Sequence, residues 1–186
     1  MNIRTLLSIV FFVSTISCIS LQAAAREPGV KLLLKPQGGE TPATLQVIST
    51  SEGAKVTGNV TLDQSVGDQW KTVSIQFKAS ADTDIKMRIS AVWSKDDTVK
   101  VFLDNVKIKG ATIVNPDFEE GSKIPLGWQF LKSGLNSAQF ISDASTAASG
   151  SKYIKISHGT PAIQNFRVAK DAEVTITLSV KAAPME

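Results

Sequence analysis

The side chains that could do chemistry in this chain are few, and their spacing favours binding over catalysis. His158 is the only histidine, and no serine or cysteine nucleophile accompanies it in a recognisable motif. The acidic pairs at 96–97 and 119–120 could serve a glycosidase only across a deep cleft, and nothing in so small a chain indicates one. A lyase that uses Tyr153 and a neighbouring lysine on acidic polysaccharides is an alternative that no motif supports. We therefore predict a non-catalytic protein.

Aromatic side chains are the remaining candidates, because a flat ring stacks on the C–H groups of a sugar while polar neighbours bind its hydroxyls. Trp93 is in phase with the apolar row that begins at Ile85, but it lies at the end of that row. Core packing and ligand binding are therefore equally favoured for it. Tyr153 and Phe102 are out of phase with their apolar neighbours, which predicts that both project from the outer face of a strand.

Polar side chains are expected to flank the aromatic ones, and Gln164 and Arg88 complete the candidate carbohydrate-binding set. The alternating Thr and Ser residues of the 175–179 segment are further candidates. Solvation of an outward strand surface is the simpler interpretation of each polar residue taken singly. Trp70 and Trp128 are predicted to pack inside the protein, since buried aromatic residues are usually structural.

Alternating apolar and polar residues indicate the elements that must position these side chains. Apolar residues recur at every second position in five segments, which are 73–77, 85–91, 99–103, 154–156 and 174–180. Turn signals rich in Gly, Asp and Ser separate them, and no capped helical period follows the first 25 residues. One apolar and one polar face on each strand are typical of two antiparallel sheets that share a core. The sequence therefore predicts an all-β fold, a two-sheet antiparallel β-sandwich.

The first 25 residues are typical of an export signal rather than of a folded domain. Arg4 precedes an apolar run over 6–19, and the alanines at 23–25 are small residues that a signal peptidase accepts. The run is short for a membrane span, so no membrane span is predicted. We expect a signal peptide over 1–25, a mature chain that begins near Arg26, and a protein that is secreted, periplasmic or at the cell surface.

Cysteine use and charge narrow the possible chemistry further. Cys18 is the only cysteine and lies within the signal, so the mature chain has no disulfide and no thiolate metal site. Lipid attachment to Cys18 is the alternative, although Thr15 occupies a position where that motif prefers an aliphatic residue. The formal net charge is +3, and acidic and basic residues are interspersed without a long basic run. Nucleic acid is therefore not a predicted partner.

Several strings of residues resemble one known family. Val114-Asn-Pro-Asp-Phe-Glu-Glu-Gly121, with Gly127-Trp128, resembles the opening strand and turn of carbohydrate-binding modules of the family 4/9/22 type, which are galactose-binding-like jelly rolls. The segments Trp70–Phe77 and Val101–Ile108 resemble the closing strands of the same modules. Because the closing strands precede the opening strand here, the resemblance implies a circularly permuted jelly roll, galactose-binding-domain-like in fold.

The resemblance also implies how the chain is divided. Residues 26–186 would form one permuted jelly-roll domain, with a closing half over 26–110 and an opening half over 111–186 that the short segment 109–111 joins. Each half alone would leave an apolar sheet face uncovered. Two alternatives remain open. One is a strand-exchanged homodimer in which each chain completes the other, and the second is a fragment of a tandem-module protein.

A structural calcium ion is a further implication of the resemblance, since such modules often hold one where the opening and closing strands meet. Carried over to this chain, its ligands are the carboxylates of Glu119 and Asp104, with backbone carbonyls near Lys152 completing the shell. Hard oxygen ligands of this kind suit calcium. The alternative is that both carboxylates cap strand ends or face water.

A polysaccharide or glycan is the partner that the resemblance implies. The competing hypothesis is a structural or adhesive β-sandwich of the cell surface that contacts other proteins, because one fold serves many functions. The two hypotheses differ in what they predict for Trp93, Tyr153 and Phe102. Carbohydrate binding predicts that these rings gather on one exposed face with polar groups around them, whereas scattered or buried rings favour protein contacts.

Overall fold

The computed structural model of the chain describes residues 29–37, 44–47, 55–57, 60–79, 82–91, 93–130 and 138–184. The predicted signal peptide over 1–25 lies outside these ranges. Twelve strands and one 3₁₀ turn, Lys95–Asp97, make up the regular structure described. The strands are, in chain order, β1 (Gly29–Gln37), β2 (Thr44–Val47), β3 (Lys55–Thr57), β4 (Val60–Ser65), β5 (Lys71–Ala79), β6 (Thr83–Ala91), β7 (Lys100–Lys109), β8 (Gln129–Phe130), β9 (Gln139–Ser142), β10 (Lys152–Ser157), β11 (Ala162–Val168) and β12 (Glu173–Ala182). Among the described residues, no helix is long and apolar enough to cross a membrane.

The strands form two sheets in which every pair of neighbours is antiparallel. The five-stranded sheet, called sheet A, has the order β4-β1-β6-β11-β8. The seven-stranded sheet, called sheet B, has the order β3-β2-β5-β12-β7-β10-β9. Since consecutive strands of the chain are divided between the two sheets, the connections repeatedly cross from one layer to the other.

Alternation along the strands explains why these segments pack as two layers. In β5, Val73, Ile75 and Phe77 are buried while Thr72 and Gln76 are exposed. Apolar residues of both sheets meet in one buried cluster between the layers. Members from sheet A include Ile85, Met87, Ile89, Phe166 and Val168, and members from sheet B include Phe77, Leu103, Ile154, Ile176 and Leu178. Burial of each such side chain contributes about 1.5–3 kcal/mol. The predicted all-β, two-sheet antiparallel β-sandwich is confirmed.

Strands from the two halves of the sequence alternate within each sheet. In sheet B, β12 of the second half lies between β5 and β7 of the first half, and β10 also pairs with β7. In sheet A, β11 of the second half pairs with β6 of the first half. Each half therefore contributes strands to both sheets within one chain, and the two halves share one core.

The turn that follows β7 and joins the halves is set by Gly110. Its φ is +83°, in the left-handed region that favours glycine. A Cβ added to Gly110 would lie 2.1 Å from the backbone carbonyl oxygen of Glu173, at the start of β12. Glycine therefore lets the first half end directly against the strand that the second half inserts beside it.

We expect Gly110→Ala to lower the free energy of unfolding by about 1–3 kcal/mol, because alanine combines an unfavourable φ with a backbone clash. Gly67→Ala is the matched control, since a Cβ at Gly67 would have no atom within 4 Å. Urea unfolding of the mature chain, followed by far-ultraviolet circular dichroism, measures both variants. Equal stability of the two variants would contradict this role of Gly110.

Candidate functional site

A β-bulge in β7 directs neighbouring side chains to opposite sides of sheet B. The pairing with β12 shifts between Thr177, which pairs with Lys107, and Ser179, which pairs with Asp104. The strand therefore carries one extra residue at this point, and Asn105 has a φ of 50° there. As a result Asp104 lies on the outer side of the sheet, whereas the residue after Asn105 returns to the buried core.

Asp104 carries a fully buried carboxylate that backbone amides hold. Its Oδ2 accepts hydrogen bonds from the amides of Ala148 (2.8 Å) and Ser149 (2.9 Å), and its Oδ1 accepts one from the amide of Asn105 (2.6 Å). Burial raises the pKa of Asp104 above its usual 3.8, the three amides oppose that shift, and the charge of Glu119 adds to it. Without these donors the buried carboxylate would strongly destabilise the fold.

Glu119 holds the next part of the same connection between β9 and β10. Its Oε1 accepts hydrogen bonds from the amides of Ser151 (2.7 Å) and Lys152 (2.8 Å), and its Oε2 accepts one from the Ser151 hydroxyl (2.8 Å). Lys152 Nζ in turn donates to the Glu119 carbonyl oxygen at 2.7 Å. Burial alone would raise the pKa of Glu119, but these hydrogen bonds and the Lys152 charge lower it below its usual 4.5. A Cβ at Gly150 would lie 2.3 Å from Oε1, so the connection passes directly over the carboxylate.

The predicted calcium ligands are brought into one region, but their oxygens bind hydrogen-bond donors. Asp104 Oδ2 and Glu119 Oε1 each accept two backbone N–H groups, which use both lone pairs of each oxygen. Those N–H groups direct positive charge toward the position of a cation, where calcium requires oxygen ligands. In the part of the chain that the structure describes, no group of three or more His, Cys, Asp or Glu side chains could hold a metal ion. The two carboxylates as arranged do not fit a calcium shell, and the calcium ion stays a prediction.

The connection between β9 and β10 also carries a tight turn that reaches two aromatic rings. Asp143 Oδ1 accepts hydrogen bonds from the amide (3.0 Å) and hydroxyl (2.6 Å) of Ser145, and its Oδ2 accepts one from the Thr146 hydroxyl (2.8 Å). The Ser145 hydroxyl is the main cause that lowers the pKa of Asp143. The Thr146 carbonyl then accepts a hydrogen bond from Trp70 Nε1 at 2.9 Å, and the Thr146 hydroxyl lies 2.9 Å from the Tyr153 hydroxyl.

Trp70, Phe102, Tyr153 and Lys181 form an aromatic–lysine cluster on the outer side of sheet B. The centroid of the Tyr153 ring lies 5.9 Å from that of Trp70 and 5.2 Å from that of Phe102, and both pairs meet edge to face. Lys181 Nζ lies 5.0 Å from the Trp70 centroid and 5.3 Å from the Phe102 centroid. Lys181 pairs with Phe102 across β12 and β7, which places the cation beside both rings. Trp70 and Phe102 are half-buried, so part of each ring is accessible.

Two predictions about these rings are wrong. Tyr153 lies on the outer side of its strand as expected, but it is only 5% exposed. The rings of Trp70 and Phe102 and the connection over 143–151 cover it. Trp70, predicted to pack in the interior, lies outside the core cluster because its ring packs on Tyr153 instead. Trp128, by contrast, is buried in the core as predicted.

Two of the predicted polar partners lie in sheet A and are not available to a ligand on sheet B. Gln164, on β11, is buried, and its side-chain amide bonds both the backbone N–H (2.7 Å) and the carbonyl oxygen (2.9 Å) of Val114. Arg88, on β6, donates a hydrogen bond to the carbonyl oxygen of His158 at 3.1 Å. Both side chains therefore fasten loop backbone to sheet A.

Trp93 lies on the connection between β6 and β7 and is 72% exposed, more than any other large hydrophobic residue in the described ranges. It lies at the same end of the sandwich as Phe102, because β7 begins at that end. The ring contacts of the aromatic–lysine cluster do not include it. The five predicted carbohydrate-binding residues thus do not gather on one exposed face, since Phe102 and Tyr153 meet and the other three lie apart from them.

A cleft that sequence reasoning missed opens between the edges of the two sheets. It has a volume of about 380 Å³ and lies where edge strand β8 of sheet A approaches edge strand β9 of sheet B. Phe130 and Phe140 line it, Trp128 and Ile154 contribute from the core, and Gln139 supplies an amide. Strands of two and four residues are too short to show an alternating pattern, so nothing in the sequence indicated this cleft.

Comparison of the chain with protein-family models, with curated proteins and with solved structures gives no match. The resemblance to carbohydrate-binding modules therefore depends on the sequence strings alone. The fold and the residues described above define a β-sandwich whose second sheet presents aromatic, cationic and hydroxyl groups on its outer face. That outer face is the candidate site, and no relative contributes a function to it.

We expect Asp104→Asn to destabilise the protein more than Glu119→Gln. Asparagine at 104 must turn its NH₂ group either toward the 148–149 amides or toward the Asn105 amide, so that buried donors face each other. Glutamine at 119 can keep its oxygen on the 151–152 amides while its NH₂ group donates to the neighbouring serine hydroxyl. Urea unfolding at neutral pH should show a loss of about 1–3 kcal/mol for Asp104→Asn and a smaller loss for Glu119→Gln.

Acidification gives a second measurement on the same two carboxylates. The lowered pKa of Glu119 means that its contribution to stability is present above 4.5 and is lost as the pH falls through the lowered pKa. The raised pKa of Asp104 means that its contribution is present below 3.8 and is lost as the pH rises through the raised pKa. The native chain should therefore lose more stability than Glu119→Gln as the pH falls below 4.5. A stabilisation by calcium that both variants abolish would contradict carboxylates held by amides.

Proposed function

We propose that the chain is an exported, non-catalytic β-sandwich that binds a polysaccharide or glycan on the outer face of sheet B. The observation that carries this proposal is the aromatic–lysine cluster, which lies at one end of a sheet face whose central side chains are short and polar. Rings suit the C–H faces of a sugar, and hydroxyl and amide groups suit its oxygens. The two kinds of group therefore lie side by side on this face.

The polar part of the face is continuous across three strands. Thr175 and Thr177 of β12 pair with Gln76 and Ser74 of β5 on one side and with two lysines of β7 on the other. Neighbouring strands lie about 4.8 Å apart, so these side chains form rows that cross the sheet. A flat and open surface of this kind fits an extended polysaccharide better than a single enclosed sugar.

The cluster supplies the rings in a fixed arrangement. Trp70 and Phe102 both meet the edge or face of Tyr153, and the Tyr153 hydroxyl is anchored at Thr146. Tyr153 thus supports the two half-buried rings, which are the ones that a sugar can reach. Lys181 lies over both rings and offers N–H donors to sugar oxygens at the same place. Support of this kind reduces the entropy that the rings lose on binding.

Protein contact at the cell surface is a second candidate function, and different residues favour it. Ile124, Leu126 and Val114 are large apolar side chains that are more than half exposed, and Trp93 is still more exposed. A Cβ at Gly127 would lie 2.7 Å from the Val114 side chain, so the bend that carries Ile124 and Leu126 lies against Val114. Contiguous exposed apolar side chains mark protein contact sites. The separation of Trp93 from the aromatic–lysine cluster also favours this function.

The arrangement of the strands supports a circularly permuted jelly roll as the scaffold. Ala182, at the end of β12, pairs with Val101, near the start of β7. Val30, near the start of β1, pairs with Ala91 at the end of β6, and the chain continues from there to β7. The end of β12 and the start of β1 therefore lie at the same end of the sandwich. A chain joined there and opened after Gly110 would place the opening strand first.

A rearranged chain tests this permutation. Residues 111–184, followed by a flexible linker and residues 26–110, should fold with the circular dichroism spectrum and cooperative unfolding of the native chain, because every strand pairing remains possible. A second rearrangement, opened between Asp104 and Asn105 within β7, is the control and should not fold. An unfolded first rearrangement would contradict the permuted jelly roll.

Affinity electrophoresis through gels that contain different polysaccharides tests carbohydrate binding. We expect at least one polysaccharide to retard the native mature chain, and we expect Trp70→Ala and Phe102→Ala to weaken that binding roughly tenfold or more, because each removes a ring from the cluster. Trp70→Phe keeps a ring and should retain part of the binding. Trp93→Ala should have a smaller effect, because Trp93 lies outside the cluster.

Leu126→Ala is the control, since it removes an exposed apolar side chain outside the cluster. Circular dichroism establishes that each variant is folded before its migration is compared. Unretarded migration of the folded native chain through a broad panel would exclude the carbohydrate proposal. Binding of a cell-surface protein that Leu126→Ala or Ile124→Ala abolishes would then support the second function.

A further inference from the structure

Lysines dominate the charge on the outer face of sheet B. On β5, β7, β10 and β12, the outward positions carry six lysines and two acidic residues. The lysines are Lys78, Lys100, Lys107, Lys109, Lys155 and Lys181. The acidic residues do not offset them, because Asp104 is buried against amides and Glu173 pairs across the sheet with one of the lysines. The face therefore carries a clear excess of positive charge.

Three of these lysines border the groups proposed to bind sugar. Lys107 and Lys109 are exposed on β7 and pair with Thr177 and Thr175 in the polar rows. Outward residues two positions apart on a strand are about 7 Å apart. Lys181 lies at the other end of the face, over the rings of the aromatic–lysine cluster. A ligand that crosses the rows and reaches the cluster therefore meets cations along its path.

We infer that the partner is an anionic polysaccharide whose sugar rings carry carboxylate groups, an inference that rests on the carbohydrate binding proposed above. Lysine ammonium groups are compact charges that form strong hydrogen bonds to carboxylates. A neutral glycan gains little from them, whereas a polyanion is attracted to the whole face and binds in a salt-dependent way. The threonine rows then bind the sugar hydroxyls between the charged groups.

The rings on this face distinguish a polysaccharide from a nucleic acid. Among the described residues of the face, the accessible rings are Trp70 and Phe102, and both lie at one end of the sheet. Binding of a single-stranded nucleic acid depends on a series of rings on which successive bases stack. One ring pair beside rows of hydroxyl groups fits a chain of sugars instead.

Three uronate polymers, polygalacturonate, alginate and hyaluronate, test the inference, each beside its fully methyl-esterified form. The two forms share one backbone and differ only in ionised carboxylates. Titration calorimetry of the native mature chain should show binding to at least one ionised polymer, roughly tenfold weaker at high salt than at low salt. Binding to the matching ester should be weak or absent.

Paired lysine variants locate the effect on the face. Lys107→Gln combined with Lys109→Gln should weaken binding of the ionised polymer roughly five- to tenfold, since each lost charge contact is worth a few tenths to one unit of RT-scaled affinity at an exposed position. Lys123→Gln combined with Lys170→Gln removes the same charge from exposed positions off the face and should leave binding unchanged.

The outcomes separate this inference from the function on which it rests. Equal binding to ionised and esterified polymers, without an effect of salt or of the lysine variants, would overturn the anionic ligand but leave carbohydrate binding intact. Failure to bind any polysaccharide, charged or neutral, would overturn both. Equally tight binding to single-stranded DNA or to anionic lipid vesicles would overturn the inference, because it would show general attraction to polyanions.

Discussion

The burial of two carboxylates against backbone amides is the constraint on which the rest of this structure depends. Asp104 lies at the bulge of β7, and Glu119 lies in the segment that follows the joint between the halves. Their oxygens accept hydrogen bonds from the amides of residues 148–152, because a buried carboxylate without donors would be strongly destabilising. The connection must therefore follow one path, with Gly150 at a φ of 61°. That path positions β10 against β7.

The same connection determines the outer surface of sheet B. Since 148–152 is held at the carboxylates, the turn at Asp143 delivers Thr146 to the rings of Trp70 and Tyr153. The aromatic–lysine cluster is thus assembled by a loop that is itself fixed by buried charge. Structural and functional roles are separated along this chain of contacts, with the carboxylates inside and the rings and lysines outside. A surface assembled in this way is ready before a ligand arrives.

The interleaving of the two halves has a consequence for how the fold is stabilised. Because β12 lies between β5 and β7, residues distant in sequence provide most of the strand pairing in the centre of sheet B. Pairing of distant segments is slow to form but makes the sheets cooperative, since neither half buries its apolar faces alone. The lysines of β7, β10 and β12 are likewise collected from both halves onto one face, which no single segment of the sequence shows.

The sequence by itself determined the strands and the core, because side chains of a strand alternate with a period of two and local residues decide that period. It also placed Phe102 and Tyr153 on the outer side of their strands. Tertiary structure decided everything that depends on which segments meet. The covering of Tyr153, the capture of Val114 by Gln164, the separation of Trp93 and the use of the acidic side chains as amide acceptors all follow from contacts between distant residues, which no local pattern encodes.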